Sequence, residues 1–121
     1  MPFVRKNAYD NAIQKVKITI GTLLGLEKDD EAYVVLKELP TMEMMKLTEA
    51  ESAGQKELME FFKEVLPNII VSHNLEETEG VLMSNKAVTE LIFEKLDLTG
   101  KVVGDYSSAA FFTQGSKAPG K

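Results

Sequence analysis

An α+β fold, mainly α-helical with an N-terminal β-hairpin or small antiparallel sheet, follows from three features of the chain. KVKITI, residues 15–20, alternates apolar and polar residues with the two-residue period of a half-buried strand. In KELMEFFKEVL, residues 56–66, apolar residues recur at three- and four-residue steps, the period of an amphipathic helix. The chain has 121 residues, 44% of them apolar and 27% charged. That composition suits one cored domain and the length is too short for two.

Residues 1–12 show no sustained period and read as a flexible arm. The domain is expected over residues 13–112, with a disordered polar tail over 113–121. In the first strand Val16, Ile18 and Ile20 share one face, and Lys15, Lys17 and Thr19 share the other. A second β-rich run lies around Tyr33, Val34, Val35 and Leu36, after a long connection that begins at Gly21. Two strands alone are marginal in water, so a helical layer must cover them.

Pro40 ends the second strand, and Thr41 is the expected N-cap of a helix with Met42, Met45 and Leu47 turned inward. Ser52 and Gln55 have the spacing of a capping box, ahead of a helix that buries Leu58, Phe61, Phe62, Val65 and Leu66. Pro67 is expected to end it. NIIVSHNL fits either a helical turn or a buried strand, and EETEG reads as an exposed acidic loop. Ser84 then caps a helix through NKAVTELIFEKL, with Val88, Leu91, Ile92 and Leu96 on one stripe. Thr99 caps a last helix, in which Val102, Val103, Tyr106, Ala109 and Ala110 share a face.

Charge and composition narrow the function. Lys and Arg number 14 against 19 Asp and Glu, a net charge of −5, which gives counterion release from nucleic acid no footing. No stretch approaches the roughly 20 apolar residues that span a bilayer. With no Cys, disulfides, iron–sulfur clusters and thiol nucleophiles are excluded, which fits a cytosolic setting. His73 is the single imidazole, so no His-pair metal centre can form, and a structural or surface role is expected for it. Asp29, Asp30 and Glu31, and Glu76, Glu77 and Glu79, lack the ligand spacing of a calcium loop. Glycines at 21, 25, 54, 80, 100 and 104 make no phosphate cradle. No cofactor or metal is expected, and the chain reads as a binder rather than an enzyme.

The candidate protein-binding residues are Met42, Met44, Met45, Phe61, Phe62, Phe111 and Phe112. Methionine adapts to varied apolar partners, and inward positions on one helix do not account for all three methionines of TMEMMKL. The pair Phe111 and Phe112 stands at the edge of the polar tail, where a monomer core must reach to cover both rings.

The order of segments is also informative: a β-rich opening, LKELPTMEMMKL, EVLPNIIVSHNLEE and then NKAVTELIFEKLDL. Over roughly residues 15–105 this layout resembles the tail assembly chaperones of long-tailed bacteriophages. The resemblance implies a non-catalytic holdase of the host cytoplasm that binds the long, helical, aggregation-prone tape measure protein during tail assembly. It further implies that the polar end QGSKAPGK is a place where a frameshift-extended form could begin. One small subunit covers little of such a client, so a dimer or larger assembly is expected, with neither nucleic acid nor membrane as partner. The alternative is a structural connector of the virion or a small adaptor, using the same apolar patches for permanent assembly.

Overall fold

The computed structural model describes residues 13–109. The first strand, β1 (Lys15–Thr19), pairs antiparallel with β2 (Tyr33–Lys37) in the register Lys15 to Lys37, Ile18 to Val34 and Thr19 to Tyr33. A third strand, β3 (Ile70–His73), joins the other side of β2, also antiparallel, so β2 is central in a three-stranded sheet. NIIVSHNL therefore divides between the end of a helix and this strand. Alternation sends Ile18, Ile20, Val34, Leu36 and Ile70 into the core, each no more than 6% exposed.

The link between β1 and β2 is built around Gly21. A Cβ placed there would stand 2.0 Å from the Lys28 carbonyl oxygen and 2.7 Å from that of Asp29, so only glycine fits. Gly21 N–H donates to the Asp29 carbonyl at 2.8 Å, and two short 3-10 turns, Thr22–Leu24 and Asp29–Glu31, complete the loop.

Helix α1 (Thr41–Ala53) follows, with Pro40 at its N-cap and Thr41 already helical, one residue from the expected start. It turns Leu47 inward as expected, but Met42 and Met45 point to solvent while Met44 packs against the core. Successive residues advance about 100° around a helix. Met45 and Leu47 thus lie about 160° apart and cannot share a face, whereas Met44 and Leu47 lie about 60° apart. Gly54, at φ 136°, separates α1 from α2 (Gln55–Ile69). Ser52 is still inside α1, and no side chain caps α2, so the expected capping box does not form.

Phe62, Val65, Leu66 and Ile69 of α2 are buried, with Leu58 and Phe61 half-buried beside them. Pro67 does not end the helix. It lies in the last turn, where the missing N–H removes one hydrogen bond, and Ile70 N–H closes the helix on the Leu66 carbonyl. Asn85 Nδ2 then donates to the carbonyls of Pro67 and Ile70 at 3.2 and 3.1 Å, clamping the helix-to-strand junction.

The acidic segment is a hairpin rather than an irregular loop. It comprises β4 (Glu76–Thr78) and β5 (Val81–Leu82), turned at Gly80 with φ 83°. Ser84 caps α3 (Asn85–Ile92), its hydroxyl accepting from Ala87 N–H at 3.1 Å. The expected continuous stripe to Leu96 is interrupted, because α3 stops at Ile92 and α4 (Leu96–Ser107) starts on a new phase. Leu96 is consequently 86% exposed. Thr99 does not cap α4. It lies inside the helix, and its hydroxyl donates to the Ile92 carbonyl at 2.8 Å, bridging the break. Val102, Tyr106 and Ala109 are buried. The expected arm, the tail and residues Ala110, Phe111 and Phe112 lie outside the described residues. Among the described residues, no helix is long and apolar enough to cross a membrane.

Candidate binding surface

Met42 and Met45 stand one turn apart on the outer side of α1, 65% and 56% exposed. Met44 is only half-buried but faces the core. The two phenylalanines separate in the same way. Phe61 is half-buried, whereas Phe62 is 1% exposed and belongs to the core, so it offers nothing to a partner. Its ring lies edge-on to Phe61 and to Tyr106, with centroids 5.4 and 6.1 Å away, the T-shaped geometry that aromatic quadrupoles favour.

Other large apolar side chains are open to solvent as well. Val81 and Leu82 are 52% and 58% exposed on the acidic hairpin, and Leu96 stands out at the α3–α4 break. Val71 is exposed where the β2–β3 register slips, and Leu26 in the β1–β2 link. For Val81 and Leu82 the available signal is the turn glycine Gly80 between an acidic run and an apolar pair, which marks a hairpin rather than a loop. For Leu96 no local signal exists, because its stripe is continuous in sequence and only the bend moves it outward.

The polar groups serve the fold. His73 is half-buried; its Nδ1 accepts from Leu75 N–H at 3.0 Å, so the Nε2–H tautomer donates to the Met83 carbonyl at 2.9 Å. The ring ties β3 to the base of the hairpin, a structural task. Asn74 has a similar one, taking Tyr33 N–H on Oδ1 and donating to the Glu31 carbonyl, both at 2.9 Å. Asp29 accepts from the Thr22 hydroxyl at 2.6 Å and its N–H at 3.1 Å, bonds that hold its carboxyl below the ordinary aspartate value. Burial, with the Glu38 charge nearby, pushes the Tyr106 phenol well above its ordinary value, and its hydroxyl donates to the Lys37 carbonyl at 2.7 Å. Among the described residues no three His, Cys, Asp or Glu side chains converge on a point where a metal could sit. Apolar contact area is offered to the outside by Met42, Met45, Val81, Leu82 and Leu96, with exposed Glu76, Glu77 and Glu79 beside the hairpin pair. Comparison of the chain with family models, with characterised proteins and with solved structures finds no match.

Proposed function

We propose that this chain is a phage tail assembly chaperone, which holds the tape measure protein through an apolar surface and keeps it soluble until the tail tube encloses it. The observation that carries the reading is the outward pair Met42 and Met45, left in solvent beside a core that closes without them. Exposed methionine costs a free protein apolar hydration, and it gives a flexible, polarisable contact for a client whose apolar stripes vary along its length. Acidic side chains nearby, such as Glu43 and Glu49 on the same helix, keep a loaded complex dispersed. The order of segments along residues 15–105, which resembles that family, supports the same reading.

The test is co-expression with a candidate tape measure protein. Retention of the client in the soluble fraction, with a complex on size exclusion, is the expected result. A client that is equally insoluble with and without this chain, with no complex formed, rejects the proposal.

A further inference from the structure

Between α1 and α2 the chain has a single residue, Gly54, held at φ 136° and ψ 176°. That backbone region is essentially open to glycine alone. On either side the hydrogen bonds keep helical spacing: Gly54 N–H donates to the Ala50 carbonyl at 3.1 Å, and Leu58 N–H to the Gly54 carbonyl at 3.0 Å. The N–H groups of Gln55, Lys56 and Glu57, between those two bonds, have no helical acceptor, and no side chain caps α2. Helices of 13 and 15 residues thus meet at a strained joint that gives up three bonds an unbroken helix makes.

The side chains are phased as though the joint were absent. On one straight helix from Thr41 to Ile69, at about 100° per residue, Met44, Leu58, Phe61, Phe62, Val65 and Ile69 all fall within about 60° of Leu47. These are residues with which the two separate helices face the core. Between Leu47 and Leu58 the stripe carries Ala50, Glu51 and Gly54, so its one charge there is Glu51.

Gly54 also divides the molecule. Before it lie β1, β2 and α1, and after it α2, β3, the hairpin, α3 and α4. The contacts that close the core cross this division: Leu36 pairs with Ile70, the Tyr106 hydroxyl donates to the Lys37 carbonyl, Asn74 bonds Tyr33 and Glu31, and α1 packs on α2. Each half is therefore complementary to the other, and a second copy of the chain offers the same complement.

We propose that this chain forms a domain-swapped dimer with Gly54 as the hinge. Gly54 turns helical, α1 and α2 join into one helix, and the half before Gly54 in one copy completes its core with the half after it in the other. Every contact within a swapped lobe is already made inside the single chain, so the two forms differ chiefly at the hinge. There the dimer gains three backbone hydrogen bonds per chain and sheds the glycine-only conformation, the strained short hinge that invites swapping. Exchange requires the sheet and core to open, so it happens during folding, and a dimer once formed persists. The dimer needs no client, so it stands or falls separately from the chaperone reading.

The full chain is refolded from denaturant at low and at high protein concentration and then resolved by size exclusion with light scattering. Dimer is expected from the concentrated sample, and it should survive dilution. Gly54→Ala sharpens the test. The added methyl group meets the Glu57 carboxylate at 3.1 Å, a movable contact, so the burden on the bent form is its φ. Inside a helix, by contrast, alanine is favoured over glycine. Dimer yield at a given concentration is expected to rise at least about tenfold, since each dimer contains two hinges. Three glycines inserted after Gly54 let the turn close without strain and should restore the monomer.

Because the chain has no Cys, Thr41→Cys with Glu64→Cys places two spin labels at defined positions. One straight helix sets these positions about 35 Å apart at 1.5 Å per residue, and the bend at Gly54 brings them closer. Pulsed EPR on labelled chain refolded with an excess of unlabelled chain is expected to show the longer separation in the dimer and the shorter one in the monomer. A dimer with the monomer's separation overturns the proposal. A Gly54→Ala chain that folds, by circular dichroism, and stays monomeric at every concentration overturns it equally. If that variant does not fold, the unaltered chain refolded at high concentration decides the matter, and monomer alone there rejects the swap.

Discussion

Tyr106 shows how one side chain serves both packing and polarity. Its ring lies against Phe62 in the core, and its hydroxyl crosses 69 positions of sequence to reach the Lys37 carbonyl. Tyr106→Phe keeps the ring and removes that donor, so chemical denaturation should register a loss of about 1 kcal/mol. The same residue sets an alkaline limit. Its folded-state pKa lies above the ordinary value of 10.0, so the stability it lends is complete below about pH 10. Above that, the unfolded chain releases the phenol proton first and stability falls. Melting curves from pH 8 to 11 should show this decline in the unaltered chain and a shallower one in Tyr106→Phe. His73, by contrast, was readable in advance as structural, since a lone imidazole with no acidic residue adjacent in sequence has no relay to join. What sequence could not supply was its partner, the Met83 carbonyl ten residues on.

At the scale of elements, local pattern predicted much and phase predicted less. KVKITI declared β1 through alternation alone, and Ser84 declared the start of α3 through its hydroxyl. Helix α1 was legible as a helix, but not in its rotation. TMEMMKL carries methionines on both sides, and the core accepts the side bearing Met44 and Leu47. Pro67 misleads for a related reason, because a proline in the last turn forfeits one bond whereas a proline in mid-helix bends the axis. The pairing of β3 with β2 joins Ile70 to Leu36 across 34 residues, and no local signal announces such a contact. The β1–β2 link is more exacting than its loop-like composition implies. Gly21→Ala drives a methyl group into the Lys28 carbonyl, and a loss of at least ~2 kcal/mol is expected on urea denaturation, since the obstacle is backbone rather than a movable side chain. Gly25→Ala, where added atoms meet open space but φ is 90°, separates conformational strain from collision.

For the whole molecule, the division between a sealed core and a partly apolar exterior decides which substitutions affect stability and which affect function. Met42→Gln with Met45→Gln removes apolar surface that the fold does not use. The melting transition should therefore stay within about 0.5 kcal/mol of the unaltered chain, while retention of a tape measure client in the co-expression assay should drop. Phe62→Ala does the reverse, costing about 3–5 kcal/mol through the cavity it opens. The expected division at residues 12 and 113 lies outside the described residues, and the exposed apolar face of α1 was visible in sequence only as an excess of methionine. The hydrogen bond from Tyr106 to Lys37 has one further consequence. During synthesis the central strand emerges long before the residue that fastens it, so a nascent chain on the ribosome holds a sheet not yet fastened by that bond until α4 clears the exit tunnel.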